Sequence, residues 1–212
     1  MARNAKEINE CASDGQGAVA RGEVQRARAL LIQALRTHAL VVGEVTLTSG
    51  AKAAYYVDAK RALLRPEVFA AVGTLLNDAA ERFGASAIGG VPVSAIPVAC
   101  AGLAAASGQP SPLTKAFIVR SERKAHGLRR LIEGPELVPG ERCLVVEDVV
   151  TSGGSTVKVI ERLLGEGITI AGVVSVLDRL AGGAAAIEAV VGANYEPLVT
   201  IDEVYPERPD RG

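Results

Sequence analysis

The sequence predicts an α/β fold in which a parallel, twisted β-sheet carries helices on both faces. From residue 66 to residue 201, short apolar segments alternate with segments whose apolar residues recur at helical spacing. The short segments are nearly continuous runs of Val, Ile, Leu and Ala, which is typical of parallel strands that are buried on both faces. A separate pair of short strands before residue 60 predicts a small N-terminal appendage outside this sheet.

Composition limits the class of protein. The chain has 212 residues, of which 49% are hydrophobic and 22% charged, with a formal net charge of −1. This length suits one domain with an appendage, or two small domains, and is ample for a buried core. Near-neutral charge and the presence of only three Phe and four Tyr disfavour a broad nucleic-acid surface. Three scattered cysteines without zinc-ligand spacing predict free thiols and a cytoplasmic protein.

One uncharged stretch is long enough to suggest a membrane span. No charged residue lies between Arg82 and Lys115. Four prolines interrupt this stretch and Ala rather than Leu dominates it, so a buried strand, a small-residue loop and a packed helix explain it better. Residues 1–22 are polar and have no apolar segment typical of a signal peptide, which predicts a loose N-terminal arm.

The remaining elements follow from periodicity and turn residues. Apolar spacing predicts a helix over residues 23–40, and strands at 45–47 and 54–57 flank a turn-forming Thr-Ser-Gly. Pro66 suits the first turn of a helix that runs to about residue 83. Further strands are predicted at 86–89, 113–119, 142–147, 170–177 and 195–201, and further helices at 94–107, 154–166 and 183–191. A polar connection covers 120–134, and the Pro-rich, charged residues after Tyr205 predict a frayed tail.

The strongest motif is residues 144–156, LVVEDVVTSGGST. An apolar strand ends in two adjacent carboxylates, Glu147 and Asp148, and a Thr/Ser/Gly loop then opens a helix. Ligands of open α/β sheets bind at such strand ends, and the unpaired N–H groups of a helix N-terminus favour a phosphate. Carboxylates repel phosphate but accept hydrogen bonds from sugar hydroxyls, so the motif predicts a site for a phosphorylated ribose. It is neither a Walker loop nor a GxGxxG motif. The alternative interpretation is that this segment binds no ligand and is only a capped helix after a buried strand, with Glu147 and Asp148 exposed to solvent.

This motif resembles the signature of the type I phosphoribosyltransferases, which bind 5-phosphoribosyl 1-diphosphate (PRPP). Three further segments are similar to the orotate phosphoribosyltransferase family. Residues 46–50 (TLTSG) and 55–58 (YYVD) resemble its amino-terminal hood, and residues 120–134 resemble its mobile catalytic loop. Arg179 matches the family's orotate-contacting arginine. The resemblance covers roughly residues 30–201 and implies the type I phosphoribosyltransferase fold.

The resemblance also implies a domain layout. Residues 1–22 are expected to be a flexible arm, 23–64 the N-terminal helix and hood, 65–204 the core with its mobile loop at 120–134, and 205–212 a flexible tail.

The family's reaction moves the 5-phosphoribosyl group of PRPP to orotate, which yields orotidine 5′-monophosphate and diphosphate in pyrimidine biosynthesis. Its oxocarbenium-like transition state requires neutralisation of the leaving diphosphate by loop cations and by Mg²⁺. The resemblance implies that Mg²⁺ is carried mainly on PRPP, with no metal site of the protein's own. It further implies a homodimer whose mobile loop reaches the neighbouring subunit's site, and no nucleic-acid or membrane partner.

Site residues are assigned by matching positions. The catalytic residues are expected to be Lys124 and Asp148. The PRPP-binding residues are expected to be Arg120, Lys124, His126, Glu147, Asp148, Val149, Val150, Thr151, Ser152, Gly153, Gly154 and Ser155. Orotate is expected to contact Thr151 and Arg179, and Tyr56 is expected to approach the base.

Some positions depart from the family pattern. Ser121 stands where a second basic residue is usual, and Ser94 stands where the expected pyrophosphate loop has a glycine or, in some members, a lysine. Pro92 removes one backbone donor from that loop. These departures leave two alternatives open, a related phosphoribosyltransferase with another base and a catalytically weak PRPP-sensing regulator. Arg179 favours an acidic base, and the loop cations Lys124 and His126 favour catalysis.

Overall fold

The computed structural model describes residues 5–46, 52–107, 110–120 and 131–211, with side chains from residue 19 onward. A long helix, α1 (Ala5–Ala34), ends in a π-helical turn (Leu35–Ala39). Strands β1 (Leu40–Thr46) and β2 (Lys52–Val57) then pair antiparallel in a sheet separate from the main one. This hairpin, called the hood below, confirms the predicted appendage. A short helix, α2 (Lys60–Leu63), connects it to the core.

In the described part of the chain, six strands form the central sheet. They are β3 (Ala87–Gly90), β4 (Lys115–Val119), β5 (Ile132–Glu133), β6 (Arg142–Val150), β7 (Thr169–Asp178) and β8 (Tyr195–Thr200). Their spatial order is β5-β4-β3-β6-β7-β8, and every neighbouring pair is parallel except β4 with β5. The core helices are α3 (Pro66–Phe83), α4 (Ala95–Ala106), α5 (Gly154–Gly165), α6 (Gly183–Val191) and the single turn α7 (Ile201–Val204).

Apolar side chains cover both faces of this sheet. Successive residues of β6 alternate between two hydrophobic clusters, since Leu144 and Val146 belong to one and Val145 to the other. Helices α1, α3 and α4 contribute to the first cluster, and α5 and α6 to the second. Leu76 and Ile160, one from each cluster, have no exposed surface. The predicted parallel sheet with helices on both faces is therefore confirmed.

Most predicted bounds agree with the structure to within two residues, and those of α3 and α6 agree fully. Strand β6 is longer than predicted, because its pairing with β7 continues to Val150 opposite Asp178. The two carboxylates of the motif consequently lie within this strand rather than at its end. The short elements α2, β5 and α7 are not predicted by periodicity, because none spans more than four residues.

Residues 5–22, predicted as part of a loose arm, are helical in the structure, because α1 begins at Ala5 rather than near residue 23. Three glycines lie in this segment. A glycine inside a helix costs about 1 kcal/mol relative to alanine, which weakens a helix without ending it. The segment contains no proline, so every residue can donate its backbone N–H.

Residues 205–211, predicted as a frayed tail, make specific side-chain contacts in the structure. Arg208 is only 9% exposed and forms ion pairs with Asp202 and, at 3.1 Å, with Asp210. The ring of Tyr205 packs edge-on against Tyr55 of the hood, with 5.5 Å between centroids. Residues 205–211, called the tail below, therefore lie against the hood. These contacts join segments far apart in sequence, which composition alone does not reveal.

The uncharged stretch between Arg82 and Lys115 forms β3 and α4, as predicted. The four residues of β3 are all buried, and α4 has only 12 residues. None of the helices in the described ranges combines the length and the apolar character that a membrane crossing requires.

Candidate active site

A cavity of about 230 Å³ lies beyond the carboxyl ends of β6 and β7, against the hood. This is the edge where ligands of open parallel sheets bind. Five separate segments converge on it: β2, the start of α2, the connection before α4, the end of β6 with its following loop, and the residue after β7. Its lining residues are Tyr56, Val57, Lys60, Ser94, Asp148, Val149, Thr151 and Arg179.

The two carboxylates of the motif occupy different surroundings. Neighbouring residues of a strand point to opposite faces, so Asp148 lines the cavity while Glu147 points away from it. Asp148 accepts a hydrogen bond from the backbone N–H of Val149 at 2.8 Å, and Glu147 accepts one from the Ser155 hydroxyl at 3.3 Å. Burial and the nearby Asp148 carboxylate raise the pKa of Glu147 to about 7. Glu147 thus titrates near neutral pH.

The loop after β6 is shaped by close backbone packing. Gly153 has φ of +76° and immediately precedes α5. A side chain on Gly183, at the start of α6, would place its Cβ 2.4 Å from Val150 Cγ1 and 2.7 Å from the Thr151 carbonyl oxygen. The loop can therefore lie directly on α6. This contact presents the first turn of α5, with its unpaired N–H groups, at the edge of the sheet.

Lys60 lines the cavity and was not singled out from the sequence. Its Nζ lies 3.4 Å from Asp148 Oδ2 and 3.3 Å from Asp58 Oδ1. Burial disfavours the charged form, but attraction to the two carboxylates outweighs it and raises the pKa of Lys60. The lysine is therefore a cation held inside the cavity. Its position two residues after the Tyr-Tyr-Val-Asp segment was the available signal.

Arg179 projects into the cavity from the loop after β7. Its backbone N–H donates to the Val150 carbonyl at 2.9 Å, whereas its buried Nε has no hydrogen-bond partner among the described residues. Asp178, directly before it, accepts hydrogen bonds from the Leu180 N–H at 2.7 Å and the Tyr195 hydroxyl at 2.9 Å. These bonds fix the backbone around Arg179. A buried guanidinium donor without an acceptor suits a carboxylate ligand.

The cavity brings together five of the residues singled out from the sequence: Tyr56, Asp148, Val149, Thr151 and Arg179. Glu147, Val150, Ser152, Gly153, Gly154 and Ser155 flank it in the same strand and loop. Ser94 also lines it, next to a segment in which the Pro92–Val93 peptide bond is cis.

Of the three cationic residues expected in the mobile loop, Arg120 lies within the described residues but does not line the cavity. Arg120 directly follows β4 and pairs through Nη1 with Glu133 Oε1 at 2.7 Å. Lys124, His126 and Ser121 lie outside the described residues.

Comparison with known proteins agrees with this geometry. The family model for the phosphoribosyl transferase domain matches residues 69–196. The orotate phosphoribosyltransferase of Streptomyces avermitilis is 42% identical over 177 residues, which cover 84% of this chain and 96% of that protein. The chain belongs to the orotate phosphoribosyltransferase family. The family and fold inferred from sequence are thus confirmed.

Solved structures of the family support the same assignment. The Mycobacterium tuberculosis H37Rv orotate phosphoribosyltransferase in complex with Fe(III) dicitrate matches with a TM-score of 0.74 at 39% identity, covering 84% of this chain and 99% of that one. The same enzyme in complex with PRPP matches with a TM-score of 0.69 at 35% identity, covering 84% and 98%. An adenine phosphoribosyl transferase from Trypanosoma brucei, at 12% identity and a TM-score of 0.61, shares the fold alone.

Proposed function

We propose that this chain transfers the 5-phosphoribosyl group from PRPP to orotate, giving orotidine 5′-monophosphate and diphosphate for pyrimidine biosynthesis. The observation that carries the proposal is the cavity in which Asp148 and Thr151 of the ribose-phosphate motif meet Arg179, whose buried Nε has no hydrogen-bond partner among the described residues. One side of the cavity suits a phosphorylated sugar and the other suits an acidic base. One cavity therefore contains side chains suited to both substrates, the phosphorylated sugar and the acidic base.

The ribose phosphate binds at the loop after β6. Backbone N–H groups of residues 149–155 and the first turn of α5 hold the 5′-phosphate, because a helix N-terminus favours an anion. Asp148 accepts hydrogen bonds from ribose hydroxyls and stabilises the positive charge that develops on the sugar. Glu147, behind it, accepts a further bond when ionised and keeps the loop oriented through Ser155.

Orotate binds between the hood and β7. Arg179 takes its carboxylate, and the planar guanidinium suits a bidentate contact with two oxygens. Thr151 contacts the base from the loop, and Tyr56 of the hood, which lines the same cavity, approaches it as well. The base is thereby held close to the anomeric carbon, and this orientation lowers the entropic barrier to attack.

Cationic side chains bind and neutralise the leaving diphosphate. Lys60 supplies one from within the cavity, on the side shared with Ser94. Arg120, Lys124 and His126 supply the others when residues 120–134 close over the substrates. Lys124 makes the contact that strengthens most in the transition state, so it is the catalytic cation.

The family resemblance implies a Mg²⁺ ion carried on PRPP. Among the described residues, no three His, Cys, Asp or Glu side chains form a group that could hold a metal ion. Mg²⁺ commonly binds through one or two carboxylates together with substrate phosphates, and Asp148 is the carboxylate of the motif that lines the cavity and suits that role. The bound ion would supply charge neutralisation at the diphosphate.

The proposal includes a cytoplasmic homodimer in which residues 120–134 of one subunit reach the site of the other. Closed two-fold dimers are the commonest oligomers, and a substrate cavity open on one side suits a loop that excludes water.

The test is the loss of orotate absorbance in the presence of purified protein, PRPP and Mg²⁺. We expect PRPP-dependent consumption that collapses in Lys124→Ala and persists in Lys158→Ala, which removes an exposed lysine of α5. Consumption of a different base but not orotate would replace the substrate. Binding of PRPP without conversion of any base would favour the regulator instead.

A further inference from the structure

Tyr55 separates the substrate cavity from the tail. Its side chain is only 2% exposed, and the Arg179 guanidinium carbon lies 5.0 Å from the centre of its ring. On the side of the tail, Tyr205 meets the same ring edge-on, and the Tyr55 hydroxyl donates to Asp210 Oδ2 at 3.0 Å. One aromatic ring therefore contacts both a substrate-facing arginine and the C-terminal residues.

The side chains of Tyr55 and Tyr56 have different surroundings, because neighbouring residues of a strand point to opposite sides. Tyr56 lines the cavity, whereas Tyr55 does not and lies buried behind Arg179. Tyr55 is thus placed to support the arginine rather than to touch a base. The Nε of Arg179 has no hydrogen-bond partner among the described residues, so the aromatic face is a main contact that can orient this guanidinium.

The tail is anchored well enough to hold Tyr55. Asp210 accepts from the Tyr55 hydroxyl through one oxygen and pairs with Arg208 Nε at 3.1 Å through the other. Arg208 is buried and also pairs with Asp202 of α7. A continuous set of contacts therefore runs from α7 through the tail and Tyr55 to Arg179.

We infer that Tyr55, held by the C-terminal tail, is a positioning residue that fixes the Arg179 guanidinium for the carboxylate of the base. The inference rests on the proposed function, because it assigns that carboxylate to Arg179. A preoriented guanidinium loses less conformational freedom when the base binds. The tail thereby acts on affinity for the base without contacting it.

The experiment compares KM for orotate and for PRPP in wild type and four variants. Tyr55→Leu removes the ring, Tyr55→Phe keeps the ring and removes the hydroxyl, and Asp210→Asn weakens the tail contact. Glu207→Gln, which removes an exposed carboxylate of the same tail, is the matched control. We expect KM for orotate to rise about two- to thirtyfold in Tyr55→Leu and about twofold in Tyr55→Phe and Asp210→Asn. KM for PRPP and all constants of Glu207→Gln should equal those of wild type within the error of replicate assays.

A double-mutant cycle separates positioning from general packing. If Tyr55 acts through Arg179, Tyr55→Leu should not raise the KM for orotate further in an Arg179→Ala background. Equal losses for orotate and PRPP, or additive losses in the double variant, would overturn the inference. Should Tyr55→Leu fail to fold, unchanged orotate KM in both Tyr55→Phe and Asp210→Asn would overturn it as well. Failure of wild type to convert orotate would instead reject the proposed function, and the inference with it.

Discussion

Lys60 Nζ lies 3.4 Å from Asp148 Oδ2, so a lysine from the start of α2 neutralises the acid that faces the ribose site. The same ammonium is 3.3 Å from Asp58. Burial disfavours the charge of Lys60, but attraction to the two carboxylates outweighs it and raises the pKa of this lysine. Lys60 thus brings a cation to the proposed ribose site from outside the loop after β6.

Replacing Lys60 should impair use of PRPP. A charge-assisted hydrogen bond contributes about 1.5–3 kcal/mol, so Lys60→Gln should lower kcat/KM for PRPP by about ten- to a hundredfold. Initial rates at varied PRPP check this, and Lys60→Arg should retain part of the activity. The control is Arg61→Gln, which removes an exposed neighbouring cation. Unchanged kcat/KM in Lys60→Gln would show that Lys60 serves only Asp148 and Asp58.

Titration of Glu147 should make stability depend on pH. Its pKa is raised from 4.5 to about 7 in the folded state. A raised folded pKa means that the contribution of this group to the free energy of unfolding is fully present below about pH 4.5 and is lost as pH rises through 7. The loss is roughly 3 kcal/mol.

Urea unfolding at pH 5 and pH 8 checks this dependence. Glu147→Gln cannot ionise, so relative to wild type it should be more stable at pH 8 than at pH 5. Glu161→Gln, a carboxyl on the exposed side of α5, should show no such change. If the wild-type and Glu147→Gln curves run parallel, the Glu147 pKa is not raised.

Contact between Gly183 and the loop after β6 should be required for phosphate binding. In Gly183→Ala the new Cβ would meet Val150 Cγ1 at 2.4 Å and the Thr151 carbonyl at 2.7 Å, so the loop must shift. Overpacking of this kind costs about 1–3 kcal/mol. We expect a lower Tm and a higher Kd for PRPP, measured by calorimetry. Gly165→Ala, where nothing lies within 4 Å of the new Cβ, should preserve both.

The features that the sequence predicted are those whose pattern lies within one short segment of the chain. The apolar runs of β6 and β7 and the helical spacing of α3 are complete within one element, so periodicity located them. The Glu147–Ser155 segment was recognisable because strand, acids and loop are contiguous. By contrast, Lys60 and Asp148 are 88 positions apart, and Tyr55 and Asp210 are 155 apart. Such contacts depend on tertiary packing, and no local pattern encodes them.

Replacement of Arg179 should separate base binding from PRPP binding. Arg179→Gln removes the charged donors that face the cavity, so KM for orotate should rise by about ten- to a hundredfold while KM for PRPP changes little. Arg179→Lys keeps the charge but loses the planar fork, and an intermediate effect is expected. Arg65→Gln, at an exposed position before α3, is the control. Equal KM increases for both substrates would mean that Arg179 supports the loop at Val150 rather than the carboxylate of the base.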